Sequence, residues 1–192
     1  MLARIIARVV KSSRRYKKSE SGATAVEFAL VAFPFFALLG VILETGAMMF
    51  TEFGLQSAVQ VAARQARTGQ AQGAAMTVDQ FRVIICQNAS FVTNCAGDVT
   101  VYSNSYASWA ALAAGMPGFT NIGLKDDGTP NPNVYKLGAP SCPSTLVATY
   151  DWTFIMPWMT YLGNIKGNAA RRLVGFAMFE TEPYPTTGST VC

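Results

Sequence analysis

Residues 28–43, FALVAFPFFALLGVIL, run for sixteen positions without a charge, and nothing else in the chain limits the fold so strongly. At 1.5 Å per residue a helix of that length covers about 24 Å, against about 30 Å of hydrocarbon in a bilayer. Residues 24–26 and 45–51 are uncharged too, so a helix spans if Glu27 and Glu44 sit near the two interfaces. The net charge of +4 sharpens this once it is divided along the chain. Residues 1–22 hold seven basic side chains (Arg4, Arg8, Lys11, Arg14, Arg15, Lys17, Lys18) against Glu20, whereas residues 23–192 hold eight basic and ten acidic ones. The basic balance therefore belongs to the tail, which argues against a nucleic-acid surface on the rest. The positive-inside rule puts residues 1–22 in the cytoplasm and the remainder outside. The first ten residues, MLARIIARVV, read either as a short amphipathic helix on the inner leaflet or as a disordered basic start.

Beyond the apolar run, Ala47, Phe50, Leu55, Ala58, Val61 and Ala62 continue a stripe at three- and four-residue spacing to about Arg67, where Thr68-Gly69 supplies a stop. The spacing predicts one helix from about residue 24 to 68, half in lipid and half outside. A secretory signal cut near Gly46-Ala47 is the rival, but the stripe runs straight through that point.

The segment GATAVEFALV at 22–31, with a basic tail before it and Pro34 after it, resembles the TadE-like minor pilins, or pseudopilins, of the Tad (tight adherence) type IV pilus system. The resemblance implies a cut by a prepilin peptidase on the cytoplasmic face after Gly22. Ala23 is then the new N-terminus, Glu27 the fifth mature residue and Phe28 the sixth. MFETEPYP at 178–185 is similar to the ending of such proteins, whereas residues 70–145 carry no dependable resemblance. Implied partners are the prepilin peptidase, other Tad minor pilins, the major pilin, the Tad inner-membrane assembly platform and the inner membrane itself. The expected product is an adhesive, Flp-type pilus.

Physical chemistry bears on the same residues. A cut needs an exposed, unbulky position, which Gly22 supplies. Cleavage removes the cationic leader and creates an α-amine one helical turn from Glu27. A carboxylate near hydrocarbon costs about 2.5–3.5 kcal/mol, which a neighbouring amine offsets, so Glu27 reads as a register residue. Alternatively it snorkels and only marks the helix start. Glu44, at the other edge, is expected at headgroup level and solvated. Pro34 removes one helix hydrogen bond and marks a kink. Gly40, Gly46 and Gly54 read as close-packing positions or as ordinary membrane-helix glycines.

The organisation expected is a leader at 1–22, the membrane part of the long helix at 23–51 and an outer α+β domain at 52–192. In that domain Thr77-Val-Asp-Gln80 has the form of a capping box before a helix ending near Gln87. Residues 98–106, 146–155 and 171–180 read as strands, the first half-buried and the other two central. A long N-terminal helix packed by an antiparallel sheet of about three or more strands, pilin-like in outline, follows. The Gly-, Pro-, Asn- and Asp-rich stretch 115–144 is long enough to be functional or mobile. PWMTYL at 157–162 reads either as a contact of Trp158, Met159, Tyr161 and Leu162 with the outer leaflet or a partner or, in preference, as a cap on the core.

Cys86, Cys95, Cys142 and Cys192 lie outside the membrane on this topology, where an even count points to two disulfides with three possible pairings. Cys86–Cys95 with Cys142–Cys192 is preferred, because near neighbours pair simply and the second bridge ties down the C-terminal end. The chain has no histidine, which excludes Ser-His and Cys-His nucleophiles, and no C-x-x-C for zinc. Asp126-Asp127-Gly128 reads as a turn, and Glu180 with Glu182 as a solvated edge. No catalytic residue, cofactor, metal or small-molecule substrate is expected. A binding role stands beside the structural one: an unprocessed single-pass inner-membrane protein whose periplasmic domain recruits a secretion or envelope partner through 115–144.

Overall fold

A computed structural model describes residues 21–118, 122, 134–165, 169–184 and 192. Its first element, α1, is one helix over Ser21–Arg67 that contains Pro34. The chain divides into two compact units between Leu43 and Glu44. In the first unit apolar side chains are exposed on every face of α1, with Phe28, Leu30, Val31, Phe33, Phe36 and Leu38 all open. A helix apolar all round belongs inside a membrane or a larger assembly.

In the second unit α1 is one-sided. Thr51, Leu55, Ala58, Val59, Ala62, Ala63 and Ala66 are buried at three- and four-residue intervals. This corrects the stripe expected from sequence: Leu55, Ala58 and Ala62 are on the buried face, but Ala47, Phe50 and Val61 are exposed. The reason is helical phase: at about 100° per residue Phe50 and Val61 lie well round the helix from Leu55, outside the arc the sheet covers. A Cβ on Gly175 of the sheet would lie 2.8 Å from the Leu55 carbonyl oxygen, so helix and strand approach closely on that arc. Phe50, left outside, contacts Phe91 at 6.2 Å between ring centres. Gly54 serves the same unit, since its Cβ would meet the Ser90 carbonyl at 2.7 Å.

The sheet has strands β1 (Val99–Ser105), β2 (Pro143–Thr153) and β3 (Ala170–Glu180), antiparallel throughout and ordered β1-β2-β3. Val101 stands opposite Ala148, and Val147 opposite Phe176. Only β2 is central; β3, expected to be central, is an edge. It reads as apolar because α1 covers it, and Leu55, Val59, Leu146, Ala148 and Leu173 share one core.

Each sheet edge is bonded at one point by the chain itself, at Phe176 on β3 and at Ser103 on β1. Gln56 Nε2 donates to the Phe176 carbonyl at 2.9 Å, and the Phe176 N–H donates to Gln56 Oε1 at 2.9 Å. One side-chain amide thus stands in for a neighbouring strand, and Gln60 Nε2 adds a second donor at 3.1 Å. At β1 the Ser103 N–H donates to the Val134 carbonyl and Lys136 N–H to the Ser103 carbonyl, each at 2.9 Å.

Short elements fill the connections. A turn of helix, α2, spans Gln70–Gly73, and α3 spans Val78–Asn88 with the expected capping box between Thr77 and Gln80. α4 is Cys95–Asp98. α5, Trp109–Gly115, was not read from the sequence, although Ser108 Oγ caps it by accepting the Ala111 N–H. A 3-10 turn covers Pro157–Leu162. Disulfides join Cys86 to Cys95 and Cys142 to Cys192. The first fastens α3 to α4; the second fastens the chain beside β2 to residue 192.

Candidate functional site

The motif residues lie along the first two turns of α1. Gly22, Ala23, Glu27 and Phe28 are all exposed, and a Cβ on Gly22 would meet nothing within 4 Å. Ala23 and Glu27 are four residues apart on one helix, hence on one face with about 6 Å of rise between them. Pro34 lies inside the helix and has no N–H to give the carbonyl one turn back. Residues 1–20, which hold the basic side chains of the N-terminal tail, lie outside the described residues.

At the other end of the apolar run the structure corrects the sequence reading. Glu44 is not solvated; it is 5% exposed. Its carboxylate accepts the Ile155 N–H on Oε1 and the Met156 N–H on Oε2, the latter at 3.0 Å. Two adjacent backbone donors satisfy both carboxylate oxygens, which offsets the cost of taking the charge out of water. The partners are over a hundred residues away in sequence, so no local pattern announces them.

The PWMTYL turn next to this clip is likewise not the core cap expected. Met159 is buried, but Ile155 and Tyr161 are 76% and 80% exposed, and Trp158 and Leu162 are open as well. Met159 plugs the turn onto the fold while its neighbours face outward.

A third constellation joins the end of α1 to the C-terminal segment. The Glu182 N–H donates to the Arg67 carbonyl at 2.8 Å, and the two side chains pair at 3.3 Å. Gly69 turns the chain with φ 77°, in the left-handed region that glycine adopts freely. Tyr184 lies directly against it and donates its hydroxyl to the Gly138 carbonyl at 2.7 Å. Burial pushes the Tyr184 phenol above its ordinary pKa. The TEP-Tyr stretch is therefore a clasp that accounts for an otherwise open helix carbonyl.

At the start of β3, Arg172 binds Asp151 through Nε at 2.7 Å and Nη2 at 2.8 Å, and Nη1 donates to the Ile122 carbonyl at 3.0 Å. The guanidinium fixes one residue of the 115–144 stretch, and Ile122 is buried beside Tyr102 and Val147. Farther along, Tyr135 donates its hydroxyl to the Met76 carbonyl at 3.1 Å. Burial raises the Tyr135 phenol to about 12. Tyr102 is also raised to about 12, first by burial and then by its hydrogen bond with Tyr106. Residues 119–121 and 123–133 of the stretch, with Asp126-Asp127-Gly128, lie outside the described residues.

Glu180 and Glu182 do not converge on a common centre. Glu180 accepts the Trp109 indole N–H at 3.3 Å, and Glu182 holds Arg67. Each carboxylate has a structural partner.

The geometry defines an α+β protein with a long N-terminal helix, long and apolar enough in its first half to cross a membrane and packed in its second half by a three-stranded antiparallel sheet. Residues 22–64, from Gly22 into the buried part of α1, match the family of TadE-like proteins, the family that the segment around Gly22–Phe28 resembles. No curated protein and no solved structure matches the chain.

Proposed function

We propose that the chain is a TadE-like minor pilin, or pseudopilin, cut after Gly22 by a prepilin peptidase and needed for assembly of Tad pili used in surface adhesion. The observation that carries this reading is the family match, which begins at Gly22 itself and covers the helix bearing Ala23, Glu27 and Phe28. On this reading residues 1–22 are a cytoplasmic leader, 23–51 the inner-membrane part of α1 and 52–192 a periplasmic domain. Pro34 is the helix's weak point, because the carbonyl one turn before it lacks its donor. Glu27 pairs with the α-amine that cleavage creates at Ala23, in its own chain or in a neighbour. The pair holds subunits in register with the other minor pilins, the major pilin and the assembly platform.

N-terminal sequencing of protein extracted from membranes of cells with active prepilin peptidase tests the cut. A chain beginning at Ala23 is expected; one that still begins at Met1 points to an unprocessed membrane protein instead. Glu27→Ala is expected to leave insertion and cleavage intact and to abolish piliation. Normal piliation in that variant removes the register role.

A further inference from the structure

Residues 154–165, FIMPWMTYLGNI, form the uncharged first part of the connection from β2 to β3, which continues through Lys166 to residue 169. Ile155, Trp158, Tyr161 and Leu162 face outward from this connector, and only Met159 is fully inside. Its backbone is nonetheless provided for. Glu44 takes the N–H groups of Ile155 and Met156. Pro157 has no N–H to satisfy and opens the 3-10 turn. Thr160 Oγ1 donates to the Pro157 carbonyl at 2.8 Å, and the N–H groups of Met159, Gly163 and Asn164 find the carbonyls of Met156, Thr160 and Ala170. An apolar outside over internally bonded backbone suits a place where water is scarce.

The tether says where that place is. Glu44 directly follows the uncharged run 28–43, so the connector is pinned to the point at which the chain leaves the apolar segment. Tryptophan and tyrosine favour the headgroup layer, where the ring is buried and the polar edge stays wet. We propose that the 154–165 connector docks in the headgroup layer of the bilayer its own helix enters, with Glu44 as the positioning residue that sets its depth. The partner is lipid rather than protein. The inference rests on the reading of 28–43 as a membrane anchor.

Full-length protein in vesicles of phosphatidylethanolamine and phosphatidylglycerol tests it, with bromine placed on the lipid chains either near the headgroups or near the bilayer centre. Shallow bromines are expected to quench Trp158, so that Trp158→Phe loses that quenched component of the tryptophan emission. A Phe36→Trp reporter in the Trp158→Phe background checks the anchor separately and is expected to respond to deep bromines. A deep-quenched Phe36→Trp reporter with equal shallow quenching in wild type and Trp158→Phe overturns the docking and leaves the anchor standing. A reporter that deep bromines do not reach overturns both. Trp158 shielded from lipid bromine and from aqueous acrylamide alike means a protein contact and also overturns the proposal. Glu44→Ala is expected to lose much of the shallow quenching of Trp158; unchanged quenching in a folded variant removes Glu44 from the depth setting.

Discussion

Replacing Gly69 by alanine probes the clasp between α1 and the C-terminal segment. Two costs arise at one atom. A φ of 77° is strained for any residue with a Cβ, by about 1–2 kcal/mol. The added Cβ would also lie 2.6 Å from Cγ and Cδ1 of the Tyr184 ring, so the ring must move. Moving it breaks the hydroxyl bond to the Gly138 carbonyl, worth about 0.5–1.5 kcal/mol net. Gly69→Ala is therefore expected to destabilise the protein by about 2–3 kcal/mol, and a chain of this size loses about 2–4 °C of Tm per kcal/mol. Thermal unfolding of the full-length protein in detergent, followed by circular dichroism, measures this. The decisive comparison repeats the substitution in a Tyr184→Ala background, where the clash is gone and the backbone strain remains. The cost there should fall to about 1–2 kcal/mol. An equal cost in both backgrounds, or a cost below about 0.5 kcal/mol in the wild type, would refute the reasoning.

Other consequences can be measured on the same preparation. Gly175→Ala places a Cβ 2.8 Å from the Leu55 carbonyl oxygen, and because backbone must give way it should cost about 1–3 kcal/mol of unfolding free energy; an unchanged Tm contradicts the close approach. Removing Cys142–Cys192 should cost about 4 kcal/mol and removing Cys86–Cys95 about 2.7 kcal/mol on the loop-entropy account, since the closed loops differ in length; the reverse order of Cys→Ser variants speaks against it. Tyr102 and Tyr135 hold their protons to about 12 when folded and to about 10 when unfolded. The unfolded chain therefore releases protons first, and stability present below pH 10 should be lost as pH rises from 10 to 12. Phenolate absorbance that rises fully near pH 10 while the circular dichroism stays native would contradict this.

What was legible in the sequence was what local chemistry writes. The helix Ser21–Arg67 follows from an uncharged run, a three-and-four spacing and a glycine stop, all set by residues within a turn or two of each other. The Thr77–Gln80 capping box lies within four residues, and the positions of the three strands follow from short apolar runs. The segment around Gly22, Ala23, Glu27 and Phe28 that resembles the TadE-like proteins is equally local, and the family match over residues 22–64 includes it.

The tertiary structure decided what depends on distant partners. Sequence sees a carboxylate at Glu44 and assigns it to water; the fold brings two N–H groups to it across separations of 111 and 112 residues. β3 looks central because it is apolar, yet it is an edge that Gln56 bonds at Phe176 from 120 residues away. Phe50 looks like core by spacing and is exposed, because the sheet covers the arc of α1 centred on Leu55 and Phe50 lies about 140° around the helix from it. Periodicity specifies that a helix has an apolar side, whereas the depth of the surface facing it specifies which residues fit there. The sequence by itself thus determined the anchor-like helix, its motif and its strands. Only the fold settled which face is buried and what Glu44 holds, because hydrogen bonds and close packing are made between residues that the chain keeps far apart.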